Sequence, residues 1–412
     1  MITKNTSCRD CGSTRLHMFV DLTDQPPANA FRAPGDTREE KYYPLKTYVC
    51  EECQLVQLID IVDLDELFQN YVYLTAGAGP TTPTHFTAYA NDVIKRYALN
   101  SESLVVELGS NDGLLLGAFQ SAGITRVVGV DPAKNVAQIA NERGVTTIAA
   151  PWSADIAVSI SERYGQADVI IGNNVVAHIN DHHGLMKGVA HLLGQKGVFI
   201  VEAPYLVDMF DRLAFDTIYH EHLACLSLRP LMKLFEGYGM ELFDVALTPA
   251  QGVSVRMFVG RKGEHQVTMH VEELVSRELS LGMDKVASYD ALGARIYERK
   301  KELLDLISDL KKQGKRIAGY GAPAKGNTLL NFLKLGTESL DYLTEELPTK
   351  IGLLSPGMHI PVRHIDEARN DPPDYFLLLA WNYAEKILEK ESALRAKGVK
   401  FIIPIGERVQ IL

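Results

Sequence analysis

Short, nearly uninterrupted apolar runs recur from residue 103 onward, separated by segments whose apolar positions return every three to four residues. LVVELG (104–109), RVVGVD (126–131), DVIIGNNVV (168–176) and GVFIVEAP (197–204) read as strands covered on both faces, and TTIAA as a shorter one. GLLLGAFQSAG and NVAQIANERG read as the helices between them, the second ending at Gly144. Such β-α-β alternation predicts a parallel sheet sandwiched between helices. MELFDVAL and SVRMFVG then read as a hairpin at one edge. Residues 264 to about 312 are charged and helical in period. A second β-α pattern follows: RIAGYGAP, a helix from about Ala324, DYFLLLAWN, another helix, and KFIIPIG.

The first 70 residues differ. They are polar, carry Pro26, Pro27, Pro34 and Pro44, and can bury little apolar surface, so a module there needs a staple. LTAGAGPTTPT reads as a linker into the helical pattern HFTAYANDVIKRYAL. The length of 412 residues exceeds one ordinary core. The expected division is 1–70, 71–263 and 264–412.

A net charge of −10 argues against non-specific nucleic-acid binding, which needs a basic surface, but leaves room for a local basic pocket. No apolar run reaches the roughly eighteen residues of a membrane span. The start, MITKNTSCRDCG, lacks the apolar stretch of a signal peptide, so a cytoplasmic protein is expected.

Four of the five cysteines form two pairs, Cys8-x-x-Cys11 and Cys50-x-x-Cys53. In a reducing compartment that spacing predicts a structural Zn2+ held by four thiolates, a closed site that serves folding. The strand 105-VVELGSNDG-113 ends in Glu-x-Gly-x-x-x-Gly, which makes Glu107, Gly109, Asn111 and Gly113 candidates to meet a cofactor at the carboxyl end of the sheet. Asp131 ends the next strand, 22 residues after Gly109, where an acid can accept hydrogen bonds from ribose hydroxyls. A nicotinamide fingerprint would read Gly-x-Gly-x-x-Gly, and this loop does not. It resembles instead the S-adenosylmethionine (SAM) site of class I methyltransferases. Asn173 ends a strand on the same rim, and Trp152, after TTIAA, either stacks on adenine or joins the core. His178 lies just past that rim, beside the expected cofactor methyl, and is a functional candidate; His182 and His183 read as exposed.

The densest titratable stretch is 216-DTIYHEHLAC-225. In an extended chain Tyr219 would share a side with Glu221 and His220 with His222, whereas a turn would regroup them. The thiolates already account for a metal, so an acid/base cluster fits better than a second metal site. In the third domain, 319-GYGAPAKGNTLLNF-332 offers backbone N–H groups and a lysine at a helix start, as a phosphate requires, and 355-SPGMHIPV-362 is a tight turn carrying His359.

Together these motifs resemble the sugar C-methyltransferases that act on nucleotide-linked 4-keto-deoxysugars, over nearly the whole chain. The cysteine quartet, VELGSNDG, NNVVAHIND, FDTIYHEHL, GYGAPAKGNTLLNF, PGMHIPV and LLLAWN, with Trp381 and Asn382, all match that family. The resemblance implies an α/β fold made of a zinc-binding module, a class I (Rossmann-like) SAM methyltransferase domain and a C-terminal Rossmann-like domain binding the nucleotide sugar. It implies methyl transfer to a ring carbon, carbon 3 first and carbon 5 or oxygen as alternatives. His222 would be the general base, Glu221 its support, and Tyr219 and His178 would hold the sugar and stabilise the enolate. Tyr73 would close the site, and Lys325, Asn327 and His359 would bind substrate. A monomer with no nucleic-acid or membrane partner is expected. The chain departs from the family after Tyr73 (LTAGAGP), at Gln251-Gly252-Val253-Ser254, and at Pro151-Trp152 in place of a phenylalanine pair.

Overall fold

The central apolar runs pair into a seven-stranded sheet in the order Met240–Thr248, Ser254–Arg261, Leu193–Pro204, Ala167–Asn173, Val105–Leu108, Val127–Asp131, Thr147–Ala149. The last five strands are parallel, and Ser254–Arg261 pairs antiparallel with both of its neighbours. Consecutive residues Ile170, Ile171, Phe199, Ile200 and Val201 are all 0% exposed, which requires cover on both faces of the sheet. The computed structural model describes residues 2–63, 66–67, 82–248 and 253–412. Among these, no helix is long and apolar enough to cross a membrane.

A second doubly wound sheet follows in the order Val362–His364, Leu343–Glu345, Ile317–Tyr320, Tyr375–Leu378, Lys400–Ile403, Gln410–Ile411, parallel except for the last strand. Sequence patterning finds Ile317–Tyr320, Tyr375–Leu378 and Lys400–Ile403. It misses Leu343–Glu345, Val362–His364 and Gln410–Ile411, which are too short to show alternation. In each sheet the strand order reverses beside the first strand, and the crevice at that reversal is where such folds receive ligands. These reversals lie between Val105–Leu108 and Ala167–Asn173, and between Ile317–Tyr320 and Tyr375–Leu378.

The N-terminal strands Leu16–Asp21, Lys46–Cys50 and Val56–Leu58 form a small antiparallel sheet. Its fourth strand, Ala224–Cys225, comes from the middle of the chain, pairing Ala224 with Gln57 and Cys225 with Val56. The 27-residue helix Val286–Lys312 packs on this sheet, and Gly293 permits the approach: a Cβ there would stand 2.1 Å from the Phe19 carbonyl oxygen. His17–Asp290 (2.7 Å) and the Tyr297 hydroxyl, which donates to the Asp21 carbonyl (3.0 Å), fix the same contact.

Candidate active site

The four cysteine sulfurs converge within 4.8 Å of one another, with Cys8–Cys53 and Cys11–Cys50 each at 3.5 Å. A tetrahedral zinc with bonds of about 2.3 Å separates its sulfurs by about 3.8 Å, so the quartet fits the metal. Each pair sits on a tight knuckle: Gly12 N–H bonds the Cys8 carbonyl and Gln54 N–H the Cys50 carbonyl, with φ of 72° and 67° at Gly12 and Gln54. Hydrogen bonds from the Cys53 thiol and from the backbone N–H groups of Cys11 and Asp10 draw the Cys8 thiol down, against the opposing effect of burial.

At the carboxyl end of Val105–Leu108 the chain turns through Gly109 (φ 64°) and Gly113 (φ 77°), with Asn111 also left-handed. A Cβ on Gly109 would meet Val175 at 2.8 Å, so only glycine fits this turn without a shift. Asp131 fixes the loop, accepting the Asn111 N–H (2.8 Å) on one oxygen and the Ala133 N–H (2.9 Å) on the other. Glu107 is 5% exposed and its Oε2 has no partner among the described residues. Burial, then the nearby Asp131 and Asp112 carboxylates, push its pKa well above the usual range. Two buried acids with acceptor capacity to spare suit a ligand rich in donors, which SAM supplies as ribose hydroxyls and an ammonium group. Asn173 accepts a hydrogen bond from Tyr89 (3.2 Å), whose ring lies 3.8 Å beneath Arg256, itself paired with Glu202 at 2.7 Å. Trp152 is seated on the helix His182–Leu192, donating to the Leu185 carbonyl (3.3 Å) and packing on Gly188.

The segment 219–222 is a turn, closed by the His222 N–H on the Tyr219 carbonyl at 2.8 Å. The turn regroups the side chains: Tyr219 converges with His222, three positions on. The Tyr219 hydroxyl lies 2.9 Å from His222 Nε2, and His222 Nδ1 donates to the Thr217 carbonyl at 2.7 Å. A carbonyl only accepts, so Nδ1 carries the proton and Nε2 receives the phenol. Burial lowers the His222 pKa to about 4, which keeps the ring neutral. His178 meets His222 edge-on with ring centres 4.9 Å apart, and burial, then the His222 charge, hold its pKa well down. Glu221 points away, accepting from Asn29 (2.7 Å) near Lys350; burial raises its pKa to about 7. His220 is buried against the Tyr43 carbonyl at 3.2 Å. Tyr73 lies outside the described residues, as do Gln251 and Gly252.

Of the third-domain candidates, Lys325 is the one linked to the 216–225 stretch, at Asp216 and not at His222. Its ammonium bonds Asn382 and stands 4.2 Å over the Trp381 ring, while the Trp381 indole donates to Asp216 at 2.7 Å. Burial lowers Lys325 to about 8 and raises Asp216 to about 6. Asn327 is turned to the N-terminal module, donating to the Ala28 carbonyl at 2.8 Å. His359 is half exposed and paired with Glu40 at 2.7 Å. His182, expected at the surface, is buried. It is 0% exposed and donates to Asp10 at 2.6 Å, and it was hidden because its partner lies 172 residues away. Asp216 and Trp381 stand inside quoted motifs, but no spacing rule joins them.

Three family models match the chain: a zinc binding domain over 8–68, a methyltransferase domain over 84–245 and a C-methyltransferase C-terminal domain over 249–406. C-methyltransferase NovU of Streptomyces niveus is 37% identical over 402 residues, 97% of this chain and 95% of its own. An uncharacterized methyltransferase of Schizosaccharomyces pombe is 31% identical over 117 residues, 27% of this chain and 44% of its own. A SAM-dependent methyltransferase structure from Anabaena variabilis covers 47% of this chain and 90% of its own, at 14% identity and a TM-score of 0.37. The thiolate quartet, the acid-lined glycine loop and the full-length identity to NovU agree: the chain belongs to the C-methyltransferase family and is a SAM-dependent enzyme with a zinc-binding module.

Proposed function

We propose that this enzyme methylates a ring carbon, carbon 3, of a nucleotide-diphosphate 4-keto-deoxysugar through an enolate. The observation that carries the reading is the chain Tyr219 Oη–His222 Nε2, His222 Nδ1–Thr217 O, buried beside His178. A carbon nucleophile must first lose a proton, and a neutral imidazole with a fixed tautomer is suited to take it. Glu107, Gly109, Asn111, Gly113, Asp131, Asn173 and Trp152 would hold the cofactor, which supplies an electrophilic methyl sulfonium when bound.

His222 Nε2 would accept the proton from the carbon beside the ketone once the substrate displaces the Tyr219 hydroxyl. That hydroxyl and His178 would then face the developing oxyanion. The burial that keeps His222 neutral makes a lone imidazolium costly, so the enolate charge must develop alongside it. Glu221 would brace the turn through Asn29, Tyr73 would close the site, and Lys325 would meet the diphosphate, with Asn327 and His359 shaping the domain junction. The working units are 1–70, 71–263 and 264–412.

A panel of 4-keto nucleotide sugars and their reduced 4-hydroxy counterparts, incubated with SAM and followed by mass spectrometry, tests the reading. Methylation confined to 4-keto compounds and located at carbon 3 is expected. Equal methylation of the 4-hydroxy compounds would replace it with oxygen chemistry, and a carbon 5 product would correct the position.

A further inference from the structure

The two histidines that face each other across the candidate site hang from different points of the zinc module. One residue, Leu223, separates His222 from Ala224–Cys225, which completes the zinc module's sheet, and the Leu58 N–H bonds the Leu223 carbonyl at 2.9 Å. Gln57, opposite Ala224, donates to Cys8 Sγ at 3.1 Å, so the strand carrying the base is two contacts from a metal ligand. His220 adds its bond to the Tyr43 carbonyl.

His178 is reached by another route. Asp10 stands between two of the thiolates, and its carboxylate accepts from His182 Nδ1 at 2.6 Å. His182 Nε2 lies 3.2 Å from the Val176 carbonyl, in the short turn Val176–His178 that ends at the second histidine. The neighbouring His183 Nε2 donates to the Asp10 carbonyl at 2.8 Å. Asp10 and His182 are 8% and 0% exposed, a placement that costs desolvation and that a purely local zinc knuckle has no need of.

We propose that the zinc module sets the separation of His178 and His222, with Asp10 and His182 as positioning residues; this rests on the reading of these two histidines as reacting groups. The module is then a gauge for the active site as well as a folding unit. A displacement of one ring by about 1 Å can cost on the order of a hundredfold in rate, so the bond from Asp10 matters far from the metal it flanks.

The test is D10A beside D10N, whose amide oxygen still accepts from His182. Four quantities are read on the purified full chain: zinc released on thiol titration, SAM affinity by calorimetry, and kcat and KM for the methylated sugar. D10A is expected to keep its zinc and its SAM affinity and to lose about tenfold to a hundredfold in kcat, with D10N within about threefold of the parent. A crystal structure of D10A should show the His178–His222 ring separation changed from 4.9 Å. Unchanged kcat, a loss that tracks missing zinc, or an unmoved ring pair would overturn the proposal. If D10A fails to fold, H182N, which still offers Asp10 an N–H but cannot span to Val176, gives the same readouts. If the parent turns over no 4-keto sugar, the substrate reading fails, and the ring geometry in the zinc-loaded D10A crystal still decides the positioning claim.

Discussion

At the carboxyl end of Val105–Leu108 the protein leaves acceptors waiting: Glu107 Oε2 is buried without a partner among the described residues, and Asp131 shapes the loop beside it. At the carboxyl end of Ile317–Tyr320, in a sheet of the same winding, most side chains are tied to one another across domains, although Asn327 Oδ1 and Asp216 Oδ1 stay buried without a hydrogen-bond partner among the described residues. Lys325 is bonded to Asn382 over Trp381, Trp381 is bonded to Asp216, and Asn327 is bonded to Ala28. A Cβ on Gly321 would come within 3.1 Å of Ala380, and one on Gly326 within 2.8 Å of Leu379, so this loop is packed as well as paired. What separates the two ends is charge: Lys325 offsets the buried Asp216 carboxyl at the second, whereas at the first Glu107 has the carboxylates of Asp131 and Asp112 near it, which favours a ligand that brings donors or a cation. The segment 215–222 lies between the two ends, touching His178 on one side and, through Asp216 and Phe215, the third domain on the other.

The largest expected effect falls on that shared segment. H222A should lower kcat about a thousandfold in steady-state assays while leaving SAM affinity within about twofold. Next, D131A should weaken SAM about a hundredfold by calorimetry, the loss of charge-assisted bonds worth about 1.5–3 kcal/mol each. K325M, made at the other sheet's end, should leave SAM affinity unchanged and lower kcat/KM for the nucleotide sugar about tenfold to thirtyfold. If K325M weakens SAM as D131A does, the contrast between the two ends collapses.

The smallest effects are in pH dependence. Burial raises Asp216 from 3.8 to about 6, so its contribution favours the fold below pH 4 and is lost as the pH rises through 6. D216N, which keeps an acceptor for Trp381, should therefore match the parent in melting temperature at pH 4 and exceed it by a few degrees at pH 8. His222 is shifted the other way, down to about 4, so the acid limb of kcat/KM should lie near pH 4 to 5 and not at the ordinary histidine value. An acid limb near 6.5 would show that His222 is more solvated than its surroundings imply.

Much of this was legible in the sequence because it is local. The cysteine knuckles, the glycine loop with Asp131 in register, and the core strands each announce themselves within a short span of chain. The grouping inside 219–222 was not legible, since whether Tyr219 meets Glu221 or His222 depends on one backbone bond that closes the turn. The two-residue strand Ala224–Cys225 is too short to carry a period, yet it ties the candidate base to the zinc module. His182 looked like a surface histidine because Asp10, which holds it, is remote in sequence. Pairings across domains are set by packing, and a single sequence carries no periodic trace of them.

The central claim is that His222 removes a proton from the carbon beside a ketone, and deuterium exchange reads that step without methyl transfer. Incubate parent and H222N in D2O with the methyl-accepting 4-keto sugar nucleotide and the demethylated cofactor product, and follow the ring C–H by proton NMR. The parent should wash in one deuterium at the carbon to be methylated, and H222N should show none above the enzyme-free rate. Exchange by H222N at the parent's rate would contradict the assignment.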